Sequence, residues 1–289
     1  MVEWAEDVPL GPLTTYRVGG TAARFAEVAS RAELAEVRDA VVESGAAVLV
    51  VGRGSNLLVS DRGFDGIAVK LGDGLSAVDI EGTVVRAGGA TSLPVLSRRT
   101  AAASLTAFEW AVGVPGSVGG AVRMNAGGHG SEMREVLIDV EVIDLAGGRD
   151  GVVASADLDL AYRHSNVVAS EVVIAARLQL AVGERDESER EISEIVRWRR
   201  EHQPGGQNAG SIFTNPDGGS AGRLIDESGL KGFRVGSAHV STKHANFFQA
   251  DEGGSADDVR ALIEEVRRRV RDATGVDLVP ELQMVGFDA

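Results

Sequence analysis

EWAVGVPGSVGGAVRMNAGGHG, residues Glu109–Gly130, is the stretch whose reading decides the fold. Seven of its twenty-two residues are glycine: Gly113, Gly116, Gly119, Gly120, Gly127, Gly128 and Gly130. Each glycine costs extra backbone entropy and offers no side chain to bury, so neither a packed helix nor a central strand takes so many. Glycine-rich backbone instead lets N–H groups come close to a ligand, and such concave runs suit phosphate oxygens. Pro115 stiffens the turn ahead of Gly116 and Ser117. Arg123 adds a fixed charge, and Asn125 an amide that both donates and accepts. A mobile surface loop is the plain alternative. The flanking Trp110, Val112, Val114, Val118, Val122 and Met124 argue against it, since a solvated loop would not carry so many apolar side chains.

The rest of the chain sets the class. Its 289 residues suffice for two or three domains. At 44% hydrophobic and 25% charged it falls in the ordinary globular range. A net charge of −14 disfavours nucleic acid or an anionic membrane surface as the main partner. A small anion remains acceptable, because local Arg and Lys outweigh the global field at contact distance. The chain has no cysteine, which excludes disulfides, thiolate catalysis, iron–sulfur clusters and a cysteinyl flavin link. MVEWAEDVPL has no apolar core of a signal peptide, and no apolar run approaches a membrane span, so the cytoplasm is the expected location. The five histidines show no metal-ligand spacing, and no metal site is expected.

Moving outward from the glycine stretch, Tyr16–Val18 reads as a short strand before Gly19. Ser30–Ser44 reads as a helix, with Ser30 as N-cap, Gly45 as its stop, and Leu34, Val37, Val41 and Val42 on one face. Ala46–Val51 is a buried strand that runs into Gly52-Arg53-Gly54-Ser55-Asn56-Leu57. The dinucleotide fingerprint would need a third glycine at position 57 and a following helix, but LLVSDRGFDG is full of turn residues. A phosphate-holding turn of another kind fits better, with Ser55 and Asn56 as donors. Short strands follow from Gly66, then a helix at Ser92–Ala103 with Pro94 in its first turn. Beyond the glycine stretch, strands are expected at Val136–Leu145, Gly151–Ala154 and Val172–Val182. A charged helix spans Glu184–His202, with Ile192, Ile195, Val196 and Arg199 as its buried stripe. Pro204-Gly205-Gly206 marks a boundary. Ser220–Gly229 is a short helix. Ser255 caps the last helix with Asp258 at the capping-box position, and Val259, Leu262, Ile263, Val266 and Val270 form its core stripe. Val279–Phe287 reads as a closing strand that carries Glu281 in an apolar setting.

Seven motifs now stand in one order: TTYRVGG (Thr14–Gly20), VGRGSNLLVSD (Val51–Asp61), GVPGSVGGAVRMNAG (Gly113–Gly127), YRHS (Tyr162–Ser165), AGSIFTNP (Ala209–Pro216), GLKGFRVGSAHVSTKHANF (Gly229–Phe247) and PELQMVG (Pro280–Gly286). Together they span nearly the whole chain and resemble the UDP-N-acetylenolpyruvoylglucosamine reductases, or UDP-N-acetylmuramate dehydrogenases, flavoenzymes of bacterial cell-wall synthesis. The resemblance implies an α+β protein with a vanillyl-alcohol-oxidase/PCMH-type FAD fold. On that reading residues 1–70, completed by 279–289, and residues 71–203 form two FAD-binding subdomains, and 204–278 a substrate domain. It also implies noncovalent FAD, NADPH as co-substrate, and reduction of the enolpyruvyl group of UDP-N-acetylglucosamine enolpyruvate to the lactyl ether. The chain is expected to act as a monomer.

Carried over by motif, Arg163 is the arginine that pairs with the substrate carboxylate, Ser211 the proton donor and Glu281 the acid that bonds the developing enolate. Each has a plainer reading: an ion-pair partner, a turn hydroxyl and an edge-strand charge. The expected flavin contacts are Tyr16, Gly52, Arg53, Gly54, Ser55, Asn56, Leu57, Gly88, Pro115, Gly116, Ser117, Gly119, Gly120, Ala121, Asn125 and Gly127. The expected substrate contacts are Tyr162, Asn215, Lys231, Lys243, His244 and Asn246. Thr214 departs from the family, which often has a basic residue there. The interval from Arg163 to Ser211 leaves no room for the extra substrate-covering loop of one subtype, so the chain reads as the loop-lacking subtype. Two other classes stay open: a flavin oxidase of the same fold that uses oxygen, and a nucleotide-binding module with no chemistry and no flavin.

Overall fold

Capping residues set the helices where the sequence places them. The structure, a computed structural model, describes residues 1–287. Ser30 caps α1 (Arg31–Ser44) by accepting the Glu33 N–H at 3.2 Å, and Gly45 stops it at φ +66°. Leu34, Val37 and Val41 are buried as expected, but Val42 faces outward. α2 (Leu93–Ala102) begins after Ser92 with Pro94 in its first turn. α3 (Val118–Arg123) lies inside the glycine stretch, capped by Ser117, and α4 (Arg185–His202) buries Ile192 and Ile195. α5 (Ala221–Glu227) follows Ser220. α6 (Ala256–Thr274) starts at Ser255, whose Oγ accepts the Asp258 N–H at 3.2 Å. Asp258 does not close a capping box. Its carboxylate instead accepts the N–H and O–H of Ser237, both at 2.7 Å.

The chain folds into two compact units. The first comprises Met1–Glu6, Arg24–Arg53 and Gly66–Arg199. One of its sheets runs in the order Trp4–Pro9, Thr21–Val28, Phe64–Leu71, Val48–Val51, the last two parallel. Its Val28, Ile67 and Val69 are buried together with the apolar face of α1. The other sheet is antiparallel throughout, in the order Asp150–Ala154, Leu137–Asp144, Glu171–Gln179, Val84–Gly88, Val78–Glu81. Trp110, Val118 and Val122 of the glycine stretch pack into the core of this sheet with Val85, Val140 and Leu178. The stretch is therefore anchored rather than a mobile loop. Burying those apolar side chains contributes about 1.5–3 kcal/mol each.

The second unit comprises Asp7–Ala23, Gly54–Asp65 and the chain from Arg200 onward. An antiparallel sheet of Arg234–Val235, Ala238–Val240 and Phe248–Ala250 shares a core with the buried stripe of α6. Leu57–Val59 pairs in parallel with Gln283–Val285. The closing strand is thus shorter than Val279–Phe287, and Glu281 precedes it. The last two residues of the 279–289 segment lie outside the described residues. The strand expected at Tyr16–Val18 does not form, because Arg17 sits at φ +56°, outside any strand geometry. Tyr16 and Val18 are buried in the core there. Among the described residues no helix is long and apolar enough to cross a membrane.

Candidate active site

In the second unit, backbone hydrogen bonds collect the residues expected to act on substrate. Asn208 Oδ1 accepts the Gly210 N–H at 3.0 Å, and Gly210 turns the chain at φ +78°. Ser211 follows directly, half-buried and bridged to Phe247. Among the described residues, its hydroxyl has no hydrogen-bond partner. The Ile212 N–H donates to the Asn246 carbonyl at 2.9 Å, and the Ile212 carbonyl accepts the Glu281 N–H at 2.8 Å. The Glu281 carbonyl in turn accepts Asn56 Nδ2 at 2.9 Å. Ser211, Glu281 and Asn56 are thereby held in one continuous network, although Asn56 lies far from the other two in sequence. No sequence motif contains that link, because it joins the Asn56 side chain to main-chain groups far away in the sequence.

Several expected substrate contacts also have structural work. Asn246 is buried, its Oδ1 accepting the Phe213 N–H at 3.0 Å and its Nδ2 donating to the Phe213 carbonyl at 2.8 Å. It pins the strand that carries Ser211. Replacing Asn246 by alanine strands two buried backbone groups, so stability is expected to fall by about 1–3 kcal/mol, read as a lower Tm. A loss of substrate affinity at unchanged Tm would instead return Asn246 to the substrate contacts. Asn215 Oδ1 accepts the Ala221 N–H at 3.1 Å at the start of α5. Lys231 pairs with Asp226 at 2.6 Å, and Lys243 Nζ donates to the Arg200 carbonyl at 2.5 Å. The His244 ring packs edge-on to Phe247, with centroids 4.7 Å apart. Burial, and then the nearby Lys231 charge, hold His244 below the usual imidazole range.

Tyr16 lies in the core of the second unit. Its ring is fully buried, its hydroxyl donates to the Phe248 carbonyl at 3.0 Å, and burial pushes its phenol up.

In the first unit, Tyr162-Arg163-His164 forms a tight turn closed by reciprocal bonds between Ala161 and His164, 3.1 and 3.0 Å. Arg163 sits in it at φ +54°, a conformation unusual for a side chain of that size. Its Nη2 donates to the Gly127 carbonyl at 3.0 Å, and its guanidinium lies 5.0 Å from the Tyr162 ring centroid. Tyr162 itself is exposed. Ser165 Oγ donates to the Arg123 carbonyl at 2.7 Å, and Asn125 Nδ2 donates to the Ala161 carbonyl at 2.9 Å. The arginine turn is thus fastened to the glycine stretch along its length.

The expected flavin contacts divide. Around α3 several of the donors serve the protein's own backbone. The N–H groups of Gly116, Val118 and Gly119 go to Val114, Thr91 and Gly89 carbonyls, and that of Gly120 to Ser117 Oγ. Ala121 is buried in the core, and Pro115 has no N–H to give. Gly88 donates to Ala77, and a Cβ there would run into the Leu75 carbonyl, so strand packing requires that glycine. Asn125 is fully buried and both of its amide N–H groups are taken within the protein. At the glycines, the protein's own backbone can approach as closely as a ligand would.

The turn after Val48–Val51 is different. Among the described residues, no group of the chain accepts the N–H of Gly52, Arg53, Gly54, Ser55 or Asn56. Gly54 is buried at φ +60°, where an unclaimed N–H is rare. Leu57 is buried at the start of the next strand. A Cβ on Gly52 would meet Ser117 Oγ at 2.7 Å, so only glycine fits against the α3 cap. Within the first unit, the Thr91 hydroxyl and the Trp110 indole N–H are buried without partners. Thr91 also accepts Val118 N–H, which places it beside the α3 N-terminus. The sequence reading missed Thr91, and its one signal was the preceding Gly88-Gly89 pair. Five successive open N–H groups suit the oxygens of a pyrophosphate.

Comparison with known proteins identifies the family. Residues 22–149 match the FAD binding domain family, and residues 202–285 match the family UDP-N-acetylenolpyruvoylglucosamine reductase, C-terminal domain. The UDP-N-acetylenolpyruvoylglucosamine reductase of Heliobacterium modesticaldum is 41% identical over 98% of this chain and 91% of its own length. That of Acidiphilium cryptum is 41% identical over 97% of this chain and 91% of its own. The crystal structure of the Thermus caldophilus enzyme superposes with a TM-score of 0.84 at 37% identity, covering 99% of both chains. The α+β fold is accordingly of the vanillyl-alcohol-oxidase/PCMH type. With relatives at this identity over nearly its full length, the chain belongs to the UDP-N-acetylenolpyruvoylglucosamine reductase family.

Proposed function

We propose that Arg163, Ser211 and Glu281 carry the chemistry of an FAD-containing, NADPH-dependent oxidoreductase. The reaction reduces the enolpyruvyl group of UDP-N-acetylglucosamine enolpyruvate to the lactyl ether, giving UDP-N-acetylmuramate for peptidoglycan. The observation that carries the assignment is the open Ser211 hydroxyl on a strand bonded to the main chain of Glu281. We read the protein as a cytoplasmic monomer of the loop-lacking subtype, with residues 1–70 and 71–203 serving FAD and 204–278 the sugar nucleotide.

The backbone donors of Gly52–Asn56 would hold FAD, which when bound supplies reversible two-electron hydride chemistry. Reduction at the methylene carbon puts negative charge on the neighbouring carbon and into its carboxylate. The Arg163 fork pairs with that carboxylate. Glu281 donates a hydrogen bond to the developing enolate when protonated. Ser211 Oγ delivers a proton to the carbon, and water restores it. A serine is a weak acid, but a carbanion-like carbon is basic enough for proximity to govern the transfer. Lys231, Lys243, His244, Tyr162 and Asn215 remain candidates for the sugar nucleotide through their exposed faces.

The visible spectrum with NADPH and then the enolpyruvyl sugar added tests the assignment. The yellow absorbance is expected to bleach with the first and return with the second in the absence of oxygen. Return only with oxygen would make the protein an oxidase. Because the chain has no cysteine, denaturation and filtration are expected to release all the flavin. Colour retained on the polypeptide would refute noncovalent binding.

A further inference from the structure

We infer that Asn125 is a positioning residue for Arg163 and not a cofactor contact, an inference that rests on the role given to Arg163 above. Asn125 is fully buried at φ +38°, a conformation that asparagine tolerates better than most residues. Its amide is used on three sides. Nδ2 donates to the Ala161 carbonyl at 2.9 Å and to Glu132 Oε2 at 3.0 Å, while Oδ1 accepts the Arg134 N–H at 2.9 Å. Glu132 is itself ion-paired with Arg134. Ala161 opens the turn that holds Arg163 in its left-handed conformation. The Gly127 carbonyl, two residues beyond Asn125, takes Arg163 Nη2. One amide therefore fixes both the start of the arginine turn and the hairpin of Gly127–Gly128 with Ser131–Glu132 that supplies the guanidinium's backbone acceptor.

The geometry has a chemical consequence. A left-handed arginine is held by its surroundings and not by its own preference. Without the Asn125 tie, the turn is free to relax toward negative φ and swing the guanidinium away. Misplacing a charge-binding group by about 1 Å costs as much as 10²-fold in rate. The buried Ser165 makes the second tie, through the Arg123 carbonyl, on the other side of Arg163.

Asn125→Asp tests this, because it preserves shape but turns the donor edge into an acceptor facing the Ala161 carbonyl and Glu132. In the holoenzyme, the rate of substrate-driven return of the flavin absorbance is expected to fall about 10–100-fold. The NADPH-driven bleaching rate should stay within about twofold, since no Arg163 contact is needed there. Combined with Arg163→Lys, the same substitution should add less than about twofold, because its effect passes through the guanidinium. Ser165→Ala provides a milder second variant with the same signature should the aspartate variant fold poorly. Equal slowing of both half-reactions, full additivity with Arg163→Lys, or unchanged rates in both variants would overturn the positioning role. If Arg163→Lys alone leaves the substrate half-reaction untouched, it is the assignment of Arg163 that falls.

Discussion

Replacing Ser211 by alanine is expected to leave NADPH-driven bleaching of the flavin nearly untouched and to slow its return with the enolpyruvyl sugar by about 10²–10⁴-fold. The asymmetry follows from where a proton is needed. NADPH oxidation calls for no proton on a carbon, whereas saturating the vinyl group does. Ser211 is suited to that step because its hydroxyl is open and its backbone is not free to drift. Phe247 bridges it, and the next residue is bonded on one side to Asn246 and on the other to Glu281. Alanine removes the hydroxyl alone, so the strand and Tm should persist. Ser211→Cys should retain more activity than alanine, since a thiol also delivers a proton. Stopped-flow traces of the two half-reactions decide it. Equal slowing of both would mean that Ser211 positions a shared site and does not donate the proton.

Local chemistry was legible in the sequence wherever one residue settles a conformation. Ser30, Ser92, Ser220 and Ser255 start helices, and Gly45 and Gly275 stop them in the left-handed region. The apolar stripe of α6 came from its spacing alone. Glycine and polar side chains, by contrast, have two possible customers. Gly88 serves strand packing, Asn246 pins a strand and Tyr16 serves the core, and each also looked like a ligand contact. Val279–Phe287 looked like one strand because it is apolar, yet only Gln283–Val285 pairs with Leu57–Val59. Pairing depends on a partner distant in sequence, which periodicity does not reveal. The positive φ of Arg163 was equally hidden, since nothing in Tyr-Arg-His-Ser marks a left-handed residue.

That backbone conformation shapes the expected result for Arg163→Lys. Lysine tolerates φ +54° no worse than arginine does, so the turn and the Tm should be preserved. What is lost is the fork. Arg163 donates Nη2 to the Gly127 carbonyl, and a planar guanidinium can grip a carboxylate through a fork of N–H groups in fixed geometry. A lysine ammonium is a compact charge on a flexible stem. It can reach the Gly127 carbonyl or follow a substrate carboxylate, but it lacks a planar edge that does both in fixed geometry. Turnover is therefore expected to fall on the order of 10²–10³-fold, comparable with losing one donor to a developing oxyanion. The loss should sit in the half-reaction that consumes the enolpyruvyl sugar, with flavin reduction by NADPH close to wild type. Binding of the unreacted sugar should weaken far less than the rate, because charge on the carboxylate grows as the carbon is reduced. If the lysine variant reoxidises at the wild-type rate, Arg163 is a brace for the glycine stretch, and the carboxylate has another partner.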